Sequence, residues 1–256
     1  MEKVSILQME TKASGKATAS QNFFNGVIKG AVPAFHTIPA KAALEIKPDD
    51  YYHILVLFDG IVSAKTKGTT HTLNERLTFV PGPDDDLELK AEEKSRIFEL
   101  KWKKIKGDED LIKEWNAEFP YILTYEKSVQ YRDLNKSEKT ISRIMLEQRH
   151  VPRFAMGSVE AIGPDFIKSH THPMLDQFFV SFPENDMFVV LDGEPYRMKG
   201  NEILHIPLGG MHGVSVVENK HCHYLWIDFI VDMSGYDRLD KSHVKTGTWN
   251  SIEKAK

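Results

Sequence analysis

The pattern of apolar and polar positions is mostly that of strands. Tyr51-Tyr52-His53-Ile54-Leu55-Val56-Leu57-Phe58 is apolar on both parities and stops at the turn pair Asp59-Gly60. Such a run predicts a strand covered on both faces, since neither set of alternating side chains suits water. Phe98, Leu100 and Trp102 alternate with Glu99 and Lys101, which predicts a strand with its bulky face inward and its charged face outward. Ile141 to Gln148 reads as another strand, with Ile144 and Leu146 on one face. Helical spacing is confined to one place. Gly107-Asp108-Glu109-Asp110 offers a cap and an acidic first turn, and Leu111, Ile112 and Trp115 follow before Pro120, so a short helix is expected at 108–118. Residues before about 22 are polar without a period. After Val231 the chain is polar again, an arm or a short terminal helix.

The strand pattern repeats. With residues 44–102 laid against 170–228 without a gap, a separation of 126, Tyr51-Tyr52-His53-Ile54 falls on Gln177-Phe178-Phe179-Val180 and Val80-Pro81 on Ile206-Pro207. Phe98, Leu100 and Trp102 fall on Tyr224, Trp226 and Asp228. A shared separation across three strands and a proline turn predicts a duplicated unit.

Candidate chemistry collects in the second copy. His170-Thr171-His172 places two imidazoles on the same side of an extended segment, where they can share an ion. His212 follows the turn Pro207-Leu208-Gly209-Gly210 and adds a third nitrogen. Neutral imidazole suits Zn, Mn, Fe and Ni, so one divalent transition metal is the expected cofactor. In the ungapped alignment Leu44, Ile46 and Asp86 stand opposite the three histidines, and Tyr51 stands opposite Gln177. The first copy is therefore expected to be a metal-free structural one.

His170-Thr171-His172-Pro173 with Gln177, followed by Gly200 and Pro207-x-Gly209-x-x-His212, resembles the paired motifs of the cupin superfamily, of the germin and oxalate-decarboxylase kind. The family carries a glutamate after the second histidine, where this chain has Gln177 preceded by Asp176. It carries an asparagine where Val216 stands. The resemblance implies an all-β fold of two tandem jelly-roll-like cupin barrels, with the short helix between them and a metal in the second. The expected layout is an arm at 1–22, a degenerate barrel at 23–105, a linker with the helix at 106–142, a metal-binding barrel at 143–232 and a tail at 233–256. For the fourth ligand, Asp176 and Gln177 compete. Strand parity favours Gln177, which could instead hydrogen-bond a metal-bound water.

The resemblance also implies a small oxygenated substrate, an organic acid, sugar acid or phenolic ketone. Three histidines with a neutral amide leave the ion its double charge, which leans toward Lewis-acid-assisted proton transfer by a lyase or isomerase. An iron dioxygenase at the same residues and a non-catalytic metabolite-binding protein are the alternatives. Asp228, a carboxylate where the first copy has a tryptophan, and His223 are the candidate acid–base groups. Tyr224, Trp226 and Phe179 are the candidate substrate-binding residues. Cys222 is expected to be a small buried residue, and Asp84-Asp85-Asp86 a solvated loop.

Composition adds limits. A net charge of −4, without a basic run, gives no footprint for nucleic acid. No apolar run approaches membrane-spanning length, and no signal-peptide pattern opens the chain. A single cysteine cannot form an internal disulfide, so a cytoplasmic setting is expected. Strands apolar on both faces need covering on the second face by another domain or by another subunit, and a homodimer is one way to supply it.

Overall fold

The computed structural model of the protein describes residues 4–11 and 15–248. The first three residues of the expected arm, its residues 12–14 and the last eight of the expected tail lie outside them. Strands dominate, in two units: Met9–Tyr125, and a second that joins the residues up to Gln8 to the chain from Glu126 onward. Among the described residues, no helix is long and apolar enough to cross a membrane.

In the first unit a six-stranded sheet runs in the order Tyr121–Thr124, Leu77–Val80, Tyr51–Asp59, Ser95–Lys103, Ala31–Ile38, Ala19–Asn22. A four-stranded sheet of Ala43–Ile46, Leu87–Ala91, Val62–Thr66 and Thr69–Leu73 packs on it, and Ile38, Leu55, Leu57 and Ile97 of the larger sheet share one core with Ala64 and Leu89 of the smaller. The second unit repeats the order. Its large sheet is Ile6–Gln8, Glu202–Ile206, Leu175–Ser181, His221–Ile230, Phe154–Ile162, Ile141–Leu146, and its small sheet is Asp165–His170, His212–Val216, Asp186–Leu191, Glu194–Lys199. Every pairing is antiparallel.

The ends of the chain are less loose than their polarity suggested. Within the expected arm, Ile6–Gln8 is an edge strand of the second unit and Ala19–Asn22 an edge strand of the first. Within the expected linker, the helix is Asp108–Glu114, shorter than 108–118 because Trp115 caps it and Asn116 turns to a left-handed φ of 53°. Tyr121–Thr124 then pairs with Leu77–Val80 and completes the first unit's sheet. The tail forms a helix, Ser234–Ser242, and a short strand, Val244–Lys245, that pairs with Tyr131–Arg132.

The duplication is real, but its register differs from the ungapped one. Both small sheets contain a two-residue hairpin, Lys67-Gly68 with φ 48° and 75° and Asp192-Gly193 with φ 50° and 90°, as tight right-twisted hairpins require. These turns lie 125 residues apart, not 126. The one-residue difference reverses the faces of the strands that follow the hairpin, while Tyr51–Asp59 before it keeps its parity, with Leu55 and Leu57 inward as Gln177 and Phe179 are. On Ser95–Lys103 it is therefore Ile97 that faces the core beside Leu57, with Glu99 on that same face, while Phe98 and Leu100 lie on the other face. Glu99 is buried at 5 % exposure rather than outward, and its two oxygens bridge His53 Nδ1 at 2.6 Å and His36 Nε2 at 2.8 Å.

The Glu99 carboxyl would be raised by burial, but its hydrogen bonds and the charges of His36 and His53 outweigh this and hold it at about 2. A carboxylate with a lowered folded-state pKa contributes stability that is complete above its unfolded value near 4.5 and lost as pH falls toward 2. The difference corresponds to on the order of 3 kcal/mol. Urea unfolding midpoints are thus expected to drop between about pH 5 and pH 2, and Glu99→Gln to lower the neutral-pH midpoint while flattening that drop. An acid slope identical in the variant would assign the loss to other groups.

Candidate metal centre

The strand register that builds the second unit also builds its site. His212 lies directly opposite His170 across the strand pair and opposite Leu191 on its other neighbour, so both imidazoles share one face. A bulge between Ile167 and His170 re-aims the end of that strand. Gly213 allows it: a Cβ there would lie 2.8 Å from the Ile167 carbonyl oxygen. His172 follows just beyond the strand, where the Thr171 hydroxyl donates to Gly209 O at 2.7 Å and ties the His-x-His segment to the loop preceding His212. The ring centroids lie 4.7, 4.6 and 5.5 Å apart for the pairs 170/172, 170/212 and 172/212, and one nitrogen of each ring lies within 4.8 Å of the others.

Hydrogen bonds set two of the tautomers. His170 Nδ1 donates to Lys168 O at 2.7 Å and His212 Nδ1 to Gly210 O at 3.0 Å. A carbonyl only accepts, so Nδ1 carries the proton and Nε2 keeps its lone pair in both rings. His172 Nδ1 is buried without a hydrogen-bond partner, a polar atom that is costly to bury unless it bonds to something such as a cation. Burial lowers all three imidazoles. For His170 it is the largest cause, with the charges of Lys136 and Arg238 acting the same way against the Lys168 hydrogen bond and the Asp133 charge. With neighbouring imidazoles it takes His172 to about 2 and His212 to about 4. At neutral pH the cluster is a set of uncharged nitrogen donors, which fits a borderline divalent transition metal.

The first unit lacks this donor set at the matching places. Thr66 precedes its hairpin turn as Leu191 does in the second unit, Leu87 lies opposite Thr66, and Ile46 lies opposite Leu87. Ile46 and Leu87 thus stand where His170 and His212 stand, in place of the Leu44 and Asp86 of the ungapped alignment. Both belong to the apolar core. Asp86 is a surface residue paired with Lys47 at 3.5 Å.

The three histidines line a cavity of about 40 Å³ together with Gln177, Phe179, Tyr224, Trp226 and Asp228. Gln177 and Asp228 are cross-strand partners, and Gln177 Nε2 donates to Asp228 Oδ1 at 2.6 Å. The amide nitrogen being engaged, the oxygen is the atom Gln177 can offer a cation. Asp176 points elsewhere, to His205 Nε2 at 2.8 Å. Burial raises the Asp228 carboxyl to about 7, against the opposing effects of the Gln177 hydrogen bond and the Lys136 charge.

His223 does not join this group. Odd-numbered residues of its strand face away from the cavity, and its Nδ1 pairs with Glu184 at 2.7 Å. A role at this cavity is therefore withdrawn for it. Cys222 is buried, and burial pushes its thiol well up, so it is no nucleophile. Four lining residues were not legible in the sequence: Tyr131, Asp133 and Lys136 from the loop ahead of the second unit's strands, and His243 from the tail. Lys136 Nζ donates to Tyr131 Oη at 2.7 Å and lies 3.5 Å from Asp133, while the His243 ring packs on Tyr131 and Trp226 at 4.2 and 5.0 Å. The tail's acidic and basic residues hid a contact that only the helix Ser234–Ser242 delivers.

No protein-family model matches the sequence, and no curated protein matches it. Solved structures do. Protein Ylba from E. coli aligns over 90% of this chain and 91% of its own with a TM-score of 0.69 at 12% identity. The oxalate decarboxylase formate complex of Lactobacillus farciminis aligns over 91% and 87%, with a TM-score of 0.69 at 8% identity. A cupin 2 conserved barrel domain protein from Leptotrichia buccalis aligns over 86% and 91%, with a TM-score of 0.58 at 13% identity. The likeness establishes the fold: this chain is a two-barrel protein of cupin architecture.

Trp226 reaches its place in the wall because Gly157, its cross-strand partner, has no side chain; a Cβ there would lie 2.3 Å from the indole and 2.4 Å from Arg143 O. Gly157→Ala is expected to cost about 1–3 kcal/mol by overpacking and to shift the Trp226 environment. Denaturant midpoint and near-ultraviolet circular dichroism check this, and a variant as stable as the parent with an unchanged spectrum would contradict it.

Proposed function

We propose that the second barrel binds one divalent transition metal, of the Zn, Mn, Fe or Ni kind, through His170, His172 and His212 with the Gln177 amide oxygen as fourth donor. We further propose an enzyme that moves a proton on a short organic acid, a lyase or isomerase. The observation carrying this reading is a buried carboxyl, Asp228, held by Gln177 Nε2 at 2.6 Å in the same cavity as three converging imidazoles, where burial raises it toward neutrality. Held by neutral donors, such an ion keeps its double charge and supplies Lewis acidity toward a substrate oxygen.

The chain's own groups have separable tasks. Asp228 takes or returns the proton at its free carboxylate oxygen, while its other oxygen is held by Gln177. Lys136, whose side chain is 8% exposed, brings positive charge to the cavity and suits a substrate carboxylate. Trp226 Nε1 is buried without a hydrogen-bond partner and is a donor available to substrate. Phe179 and Tyr224, rings 4.5 Å apart, form an apolar wall that keeps water out. A cavity of about 40 Å³ favours the smallest of the candidate substrates, and one structural neighbour is an oxalate decarboxylase with formate bound. A chain whose single cysteine is buried and free suits the reducing cytoplasm.

Protein purified without added metal is expected to contain about one equivalent of a transition ion at this site, and His170→Ala to lose it. Unchanged metal at this site in that variant would remove the ligand assignment. With the reacting acid identified by screening short carboxylates, Asp228→Asn is expected to retain the ion and lose about 10²–10⁴-fold in turnover. If Asp228 acts as base, turnover falls on an acid limb, because protonation removes the base; a bound dication places that limb below the value of about 7 that burial sets without it, and the variant lacks the limb. Oxygen uptake by iron-loaded protein would assign a dioxygenase instead.

A further inference from the structure

The geometry points to a second metal site in the second unit, on the opposite face of the strand His221–Ile230 from the cavity. We propose that His221, His223, Glu160 and Glu184 bind a divalent cation of the zinc type. The site is independent of the proposed function and stands or falls without it.

The sheet builds this group by the same device as the first. His221-x-His223 is a second pair of histidines one residue apart, now within a strand, so both rings lie on one face, 5.8 Å apart and nearly parallel at 25°. Glu160 is the direct cross-strand partner of His223, as His212 is of His170, and therefore projects from the same face. One nitrogen or carboxylate oxygen from each of Glu160, His221 and His223 lies within 4.8 Å of the other two. Glu160 Oε1 is 2.8 Å from His221 Nε2 and 3.6 Å from His223 Nδ1. Glu184 Oε1 lies 2.7 Å from His223 Nδ1 but outside the mutually close trio, so its partly exposed side chain would have to turn inward to serve as the fourth donor.

The backbone that holds Glu184 is itself fixed to His223. Phe182 N donates to His223 O at 3.0 Å, His223 N donates to Asn185 Oδ1 at 2.8 Å, and the Phe182 ring packs on the imidazole at 4.6 Å. The donors are thus positioned from three segments rather than by loose surface side chains. His223 is 1% exposed and Glu160 8%, while the side chains of His221 and Glu184 are each 29% exposed, which gives an ion a way in.

Two imidazoles and two carboxylates are a tetrahedral donor set for zinc, whose ligand atoms stand roughly 3.3 Å from one another at bond lengths of about 2.0–2.1 Å. The 3.6 Å separation already matches. The two shorter contacts, each a shared proton between imidazole and carboxylate, would open by about 0.6 Å as the ion replaces those protons, which leave to solvent. Two carboxylates also neutralise the ion, in contrast to the uncharged donors of the cavity.

The test uses the full chain carrying His170→Ala, His172→Ala and His212→Ala, stripped with chelator and titrated with zinc against a chromophoric competitor. One equivalent is expected to bind, and adding His221→Gln and Glu160→Gln is expected to weaken it at least about 100-fold. No binding by the folded triple variant, or binding indifferent to the two further substitutions, overturns the proposal. Should the triple variant not fold, the parent and its His221→Gln variant, whose altered side chain is partly exposed, are compared by zinc stoichiometry. Loss of one equivalent supports the site, and an unchanged count overturns it.

Discussion

The antiparallel pairing that sets His170 opposite His212 is the constraint on which the histidine cluster depends. In a strand pair, directly opposed residues project from the same face, so one register choice brings together two imidazoles more than forty positions apart in the chain. The bulge beside Gly213 and the Thr171 to Gly209 hydrogen bond then add His172. The same register sets Gln177 opposite Asp228, so the carboxyl faces the cavity rather than water. Burial raises that carboxyl toward neutrality and lowers the imidazoles, a divergence of titration that one apolar enclosure produces in groups of opposite charge type.

The two units show how far one architecture can diverge without changing its sheet order. Ile46 and Leu87, at the places of His170 and His212, leave the first barrel an apolar small sheet. Its polar interior moved to the large sheet instead, where Glu99 joins His36 and His53. Such a group tolerates burial because each carboxylate oxygen has an imidazole partner. Glu160 with His221 and His223 is a further variant of imidazoles beside a carboxylate on opposed strands, on the opposite face of the sheet that carries Asp228.

The cavity also draws its lining from segments outside the main sheets. Lys136, Tyr131 and Asp133 come from the approach to the second barrel, and His243 from beyond its last strand, held by the pairing of Tyr131–Arg132 with Val244–Lys245. Together with the histidines they line a cavity of about 40 Å³.

The sequence by itself determined the all-β class, the duplication, the three histidines and the helix between the repeats, because strand alternation, turn dipeptides and His-x-His spacing are local properties. It also placed Gln177, Asp228, Tyr224, Trp226 and Phe179 on one face, since parity within a strand needs no partner. What only the tertiary structure decided was register between the copies. A one-residue difference in length, invisible in an ungapped alignment, exchanged Glu99 and Phe98 between faces. Lys136, Asp133 and His243 were likewise beyond local reading. Their polarity looks like solvated loop until distant pairing closes them over the site, and no periodicity within a segment records which other segment will cover it.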